Sequence, residues 1–330
     1  MDFNVVIRIP DSYELLDLQI NRKRHVLRLL KGMYGTKQRG YLWNKEFKGT
    51  LVSIGFKQAV SDPGLFRIQQ NGSELLITLY VNDILIATDD EDLRKWVENQ
   101  LVMRYKVKFL GEIHTLLGSV ISYDLKGGRA SFQQTSYLES IGQRYQLENT
   151  KYRTPLEAGI QLPAEAAKST VEQYQSLLGA ATEAHWTALR RLTGYLVNTS
   201  KLELRYTAGK ANLIEAWVDA SHLSEGAYGV SGHAVFVGGN LVSWRSRKQK
   251  TVALSSMEAE VNALVDVVKE VMWLRELLTD LGVSGIKTVI HEDNQAAIAS
   301  SKNAIVNDRT RHMLGKTTFI REAMKECNIE

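Results

Sequence analysis

The stretch that constrains this chain most is Leu75 to Thr88, LLITLYVNDILIAT. Two short apolar arms flank a tight polar turn at Val81-Asn82-Asp83. Leu, Ile, Thr and Tyr dominate both arms, which predicts a β-hairpin with a carboxylate at its tip. Such a tip lifts an acid clear of the sheet while the arms hold it rigidly, an arrangement suited to metal chemistry. Taken alone, a polar pair in a hairpin turn is an ordinary turn.

The neighbouring stretches change that balance. Upstream lie LLKGMYGTKQRGYLWNKEF (Leu29 to Phe47) and SDPGLF (Ser61 to Phe66); downstream lies YKVKFLGEIHTLLG (Tyr105 to Gly118). Together these resemble the reverse transcriptase of copia-type LTR retrotransposons. That family carries a tyrosine, any residue and two aspartates at the hairpin tip. Here the tip reads Tyr80-Val81-Asn82-Asp83, so asparagine stands where the first aspartate is expected. Asparagine keeps the shape but loses the charge that holds Mg²⁺. The resemblance places Gln38 beside an incoming nucleotide and Lys37 and Arg39 near phosphate. It matches VVIRIPDSYE to the segment after an earlier catalytic aspartate, whose own motif is expected upstream of this chain. Of the three polymerase carboxylates, the resemblance leaves Asp83 alone, and the polymerase is expected to be inactive.

At 330 residues the chain has room for two domains, and 44% apolar with 24% charged residues is ordinary for a globular protein. No apolar run approaches the ~20 residues of a membrane span, and no basic-then-apolar leader opens the chain. The single Cys327 rules out an internal disulfide framework and fits a reducing compartment. The expected location is therefore intracellular, cytoplasm or nucleus. Net charge is +4 but uneven: residues 1–60 hold 11 basic and 5 acidic groups. Lys31, Lys37 and Arg39 interleaved with Tyr34, Tyr41 and Trp43 suit a nucleic-acid backbone, and equally a solvated basic face.

Glycines 32, 35 and 40 punctuate a loop expected to turn into helix before Lys48, with Leu42, Phe47 and Leu51 at helical spacing. Glu91 to Lys106 reads as an amphipathic helix with Leu93, Val97 and Leu101 in one stripe and an aspartate cap among Asp89, Asp90 and Asp92. A second hairpin is expected around Lys126-Gly127-Gly128, then a short helix from Thr135 to Tyr145. Pro155 and Pro163 mark a linker. His185 to Val197 is helical in pattern, with Trp186, Leu189, Leu192 and Leu196 as its face; against the family, a helical piece just before it looks deleted.

From Ala216 the order strand, strand, strand, helix, strand, helix is similar to the RNase H fold, and WRSRKQKTVALSSMEAE and HEDNQAAIA resemble the copia-type RNase H. The fold class expected is α+β: a palm and thumb remnant over residues 1–150, a linker and shortened connection over 151–210, and an RNase H-like α/β domain with a mixed sheet over 211–330. Ser255 and Glu258 form a capping box at the start of the long helix, and Gly282 stops it.

RNase H chemistry needs carboxylates from separate elements converging on a pair of metal ions. Asp219 lies on the first strand, Asp293 follows the strand that begins at Lys287, and Glu260 lies early in the long helix. Glu260, Leu264 and Val268 recur at four-residue steps and so share the sheet-facing side. Glu258, ~200° away around the helix, is expected to point outward as a cap. The resemblance independently matches Glu260 to the family's catalytic glutamate, and it places His312 near the product phosphate on a basic face with Arg309, Arg311 and Lys316. Singly, each acid reads as a strand-end or helix-start group. The family carries a further aspartate where this chain has Leu314, so the second Mg²⁺ of the pair is expected to bind weakly. The expected partner is an RNA–DNA hybrid or another nucleic acid. Two functions stay open: weak RNase H cleavage, or a catalytically dead nucleic-acid-binding remnant.

Overall fold

A computed structural model describes residues 6–9, 25–28, 37–157, 183–222, 228–303 and 311–330, with the side chains of residues 37–39 excepted. The chain divides into two compact units, residues 1–107 and 108–330.

In the first unit, β1 (Val6–Ile7) pairs with β2 (Leu27–Arg28). Helix α1 (Lys37–Ser53) precedes β3 (Lys57–Gln58), β4 (Leu65–Gln70), β5 (Ser73–Tyr80), β6 (Asp83–Thr88) and α2 (Glu91–Val102). Strands β3 to β6 form an antiparallel four-stranded sheet in sequence order. Register pairs Phe66 with Ile77 and Ile68 with Leu75, so these four share a face, and all are buried. Phe47 and Leu51 of α1 and Leu93, Val97 and Leu101 of α2 complete that core.

The α2 stripe is the expected one, although the helix ends at Val102 rather than Lys106. Asp90 is its cap, accepting from the N–H groups of Asp92 and Leu93. Leu42 is 37% exposed; Trp43, stacked on Phe47 and edge-on to Tyr105, takes its place against the core.

The Leu75–Thr88 hairpin forms as expected, with Tyr80 opposite Asp83 and a tighter turn of Val81-Asn82. Val81 sits at φ 54°, a conformation that costs a β-branched residue about 1–3 kcal/mol. Val81 is also 62% exposed, so little packing offsets the strain. Val81→Gly is expected to stabilise the first unit by about 1 kcal/mol in urea unfolding; a loss of stability would show that Val81 packs in solution.

The second unit holds two further four-stranded sheets. One comprises β7 (Thr115–Leu116), β8 (Ser119–Asp124), β9 (Arg129–Gln133) and, after α3 (Thr135–Tyr145) and α4 (Glu183–Asn198), β10 (Leu204–Thr207). The β8–β9 hairpin turns around Lys126-Gly127-Gly128, where Asp124 accepts from Gly127 N–H. Strand β10, absent from the sequence reading, adds to the free edge of β9. Helix α4 presents Ala188 and Gly194 rather than Leu196, which is 38% exposed. Gly194 is needed there because a Cβ would lie 2.6 Å from the Tyr152 ring.

The other sheet has the order β13-β12-β11-β14, from β11 (Leu213–Ser221), β12 (Val230–Val237), β13 (Asn240–Lys248) and β14 (Lys287–His291). The first three strands are antiparallel neighbours, and β14 lies parallel to β11. Helix α5 (Ser256–Asp280) crosses over between β13 and β14; α6 (Gln295–Lys302) and α7 (Leu314–Glu326) follow. Ile214, Ala216, Val218 and Val235 on one sheet face pack on Val261, Leu264, Val268 and Val271 of α5 and Ile320 of α7. Three antiparallel strands, a crossover helix and a parallel fourth strand beside the first make this an RNase H-like α/β arrangement.

Candidate metal centre

Three acids reach one point from three elements. Asp219 lies on β11, Glu260 in the second turn of α5, and Asp293 two residues beyond the end of β14. Each offers an oxygen within 4.8 Å of the others. Because β11 and β14 run parallel, their carboxyl ends open on the same side, where such sheets place ligands. Helix α5 supplies the third group because Glu260 shares the inward face of Leu264 and Val268, and all three are buried.

The electrostatics are those of a crowded acid cluster. Burial, then the charges of Glu292, Asp219 and Asp293, push the Glu260 carboxyl up to about 7, against the opposing Ala220 N–H. Its Oε2 is buried with no hydrogen-bond partner. A buried carboxylate oxygen left bare among acids fits a hard divalent cation, whose preferred donors are oxygens. Asp219 and Asp293 are exposed, so the cluster is open to solvent on one side. A cavity of ≈ 760 Å³ adjoins it, lined among others by Trp217, Gly232, Ala234 and Met324.

Glu292 was missed in the sequence. Its Oε1 accepts from Asn294 N–H at 3.0 Å, while Oε2 is buried and unpartnered. Burial raises its carboxyl above the ordinary value, and the charges of Asp293 and Asp219 add to that. The available signal was adjacency: two consecutive acids at a strand end must diverge, and one goes inward.

Glu258 corrects the reading. It does not point outward; it is 5% exposed. Ser255 Oγ accepts from Glu258 N–H, as the capping box requires, but the Glu258 carboxylate takes Leu254 N–H at 2.8 Å. It also meets His312 Nε2 at 3.2 Å and Lys316 Nζ at 3.6 Å. Burial alone would raise its carboxyl; the Leu254 N–H, His312 and Lys316 outweigh that and hold it below the usual value. The missing information was tertiary. The turn Arg311–Met313 and the start of α7 cover the side of α5 that spacing assigned to solvent.

The structure thus places His312 on Glu258, and Arg311 beside it is exposed. Leu314 is 40% exposed and opens α7, which has no capping side chain and no acid in its first turn. Tyr80, Asn82 and Asp83 stand together at the exposed hairpin tip, and among the described residues no group of three metal-competent side chains forms there. Lys31 and Arg309, and the side chains of Lys37, Gln38 and Arg39, lie outside the described residues.

The sheet order and the three acids at its carboxyl end define an RNase H-like domain. Residues 8–158 match the family model described as reverse transcriptase (RNA-dependent DNA polymerase). The retrovirus-related Pol polyprotein from transposon TNT 1-94 of Nicotiana tabacum is 27% identical over 368 residues, covering 100% of this chain and 27% of that protein. The retrovirus-related Pol polyprotein from transposon RE2 of Arabidopsis thaliana is 28% identical over 334 residues, covering 92% of this chain and 23% of that protein. The chain is thus similar to retrotransposon Pol polyproteins, and it spans about a quarter of the length of these relatives. A solved structure of LC11-RNase H1, isolated from compost, is 15% identical over 36% of this chain and 81% of that chain, with a TM-score of 0.30. That likeness is too slight to carry weight, and the fold assignment rests on the strand order.

Proposed function

We propose that this retrotransposon-derived reverse transcriptase/RNase H fragment retains weak, metal-dependent cleavage of the RNA strand in RNA–DNA hybrids, with its polymerase inactive. The observation that carries this reading is the convergence of Asp219, Glu260 and Asp293 around the bare, buried oxygen of Glu260. These three residues would hold Mg²⁺. When bound at such carboxylates, Mg²⁺ supplies an activated water and stabilises the leaving oxygen.

The protein's own residues set the terms. Asp219 is fixed by its pairing with Gly232 of β12, and Glu260 by burial in α5. Glu292 adds negative charge to the cluster without being one of the three converging ligands. Near neutral pH Glu260 is partly protonated, so cation binding releases a proton and tightens as pH rises. Leu314 offers no oxygen, so a second ion is held poorly and cleavage needs Mg²⁺ above the physiological range. The 2′-OH marks RNA at such a site, and duplex DNA is left uncut.

The competing reading is a catalytically dead nucleic-acid-binding remnant, favoured by Asn82 and Leu314 standing where the family carries acids. Incubating the purified full chain with a labelled hybrid and Mg²⁺ separates the two. In either reading Lys31, Lys37, Arg39, Arg309 and Arg311 are assigned to phosphate, His312 to positioning beside Glu258, and Gln38 with Tyr80 to the lapsed nucleotide site. The functional partition is 1–150, 151–210 and 211–330, and the location is intracellular. No helix among the described residues is long and apolar enough to cross a membrane.

The polymerase half yields its own expectation. Primer extension with Mg²⁺ or Mn²⁺ should give no product above an Asp83→Ala control, and Asn82→Asp alone should not restore it, because a single hairpin gains one ligand and still lacks another. Extension by Asn82→Asp would show that the remaining ligand is supplied within this chain.

A further inference from the structure

The face of the β11–β14 sheet opposite α5 carries an aromatic row that the cleavage chemistry does not use. Register aligns Trp244, Ala234, Trp217 and His291 across four neighbouring strands. Trp217 stacks on His291 with ring centroids 4.0 Å apart and planes 18° from parallel. Stacking between adjacent strands stands the indole upright, so its second face looks over Ala234 toward Trp244. Trp217 and Trp244 are 54% and 58% exposed, unusual for two tryptophans on one rung.

One strand lies between the indoles, so two strand spacings, about 10 Å, separate them. One planar ring sandwiched between two others needs about 7 Å, two ring-to-ring gaps of ~3.5 Å. Ala234 forms the floor. The adjoining rung is Ser246, Gly232 and Asp219, and a Cβ at Gly232 would meet nothing nearer than 3.8 Å. The slot is therefore continuous, along an open floor, with the carboxylate cluster.

Its surroundings favour a polyanion. Trp244 to Lys250 contains Arg245, Arg247, Lys248 and Lys250 and no acid. Arg247, paired with Asp266 of α5, and Arg245 alternate with Trp244 and lie on the other face; Lys248 shares the face of Trp244, and it and Lys250 are exposed. An apolar partner helix fits less well, because it would bury Asp219 and Lys248 on the same face.

We propose that Trp217 and Trp244 form a stacking slot for an unpaired nucleobase, with Lys248 and Lys250 holding the flanking phosphates. Bases stack on aromatic side chains regardless of sequence, so the slot takes any single strand. It rests on the nucleic-acid reading above, and it steers a strand toward Asp219.

The test is binding of a fluorescently labelled single-stranded oligonucleotide to the full chain in EDTA, where cleavage plays no part. Trp244→Ala and Ala234→Leu, which leaves both indoles and fills the floor, should each weaken binding about 5- to 100-fold. Trp244→Phe should retain most of the affinity, and an abasic oligomer of equal length should bind wild type and variants alike. Equal binding of the base-containing strand by wild type and both variants overturns the slot, as does equal loss of base-containing and abasic strands. No binding by the wild-type chain overturns it too. Hybrid cleavage is scored separately with Mg²⁺: cleavage with an unaffected oligonucleotide affinity removes the slot alone, and slot binding without cleavage removes the hydrolase alone.

Discussion

Leu314→Asp should speed hybrid cleavage about 10²-fold, equivalent to ~3 kcal/mol of transition-state stabilisation. The resemblance puts an acid at position 314, and His312, two residues before it, is bonded to Glu258 at the start of α5. A carboxylate there would supply the oxygen that leucine lacks. The substitution should not unfold the domain. Leu314 is 40% exposed at the first position of α7, whose first turn holds no acid, so aspartate gains from the helix dipole by about 0.3–1 kcal/mol. The gain should be largest at low Mg²⁺, because the deficit is one of metal occupancy. A Leu314→Asn control, equal in shape and uncharged, should stay near the wild-type rate. If aspartate and asparagine behave alike, the slow step has another cause.

The second large effect concerns stability. A capping role alone would make the loss of Glu258 worth about 1 kcal/mol. Burial beside His312 and Lys316 changes the estimate: Glu258→Ala should cost about 3 kcal/mol, since it strands a half-buried lysine and an unsatisfied Leu254 N–H together. Urea unfolding of the full chain measures this. Glu258→Gln can still accept from Leu254 N–H and should cost less. A loss near 1 kcal/mol for alanine would return Glu258 to a surface cap.

The two acids of the MEAE stretch show where sequence reasoning reaches its limit. The four-residue step from Glu260 to Leu264 and Val268 is a property of one helix, so the inward direction of Glu260 was legible. The burial of Glu258 depends on a turn more than fifty residues later folding back over α5, and no local period records that. The same division runs through the fold. The hairpin at Val81, the α2 stripe and the strand–helix order of the last domain follow from local patterns. Strand β10 does not, because four residues with no hairpin partner pair with β9 only through tertiary closure. Leu42 and Trp43 illustrate a finer failure: one residue of rotation in α1 exchanges which of two apolar neighbours meets Phe47. Glu292 was hidden for a different reason, its adjacency to a better-placed acid.

The Trp217–His291 stack lay outside every motif, although both residues were in view. Parallel pairing of β11 with β14 is what makes them neighbours, and that register is set by the crossover through α5.

The central claim is that Asp219, Glu260 and Asp293 form a working metal site. It is tested most directly by Mg²⁺-dependent cleavage of a labelled RNA–DNA hybrid, comparing the wild-type full chain with Glu260→Gln. Glutamine keeps the size and relieves the repulsion among the acids, so this variant should fold at least as stably as wild type. The account predicts slow cleavage of the RNA strand by wild type, rising with Mg²⁺, and none by Glu260→Gln. Equal cleavage by both proteins, or none by wild type and none by Leu314→Asp, would contradict it.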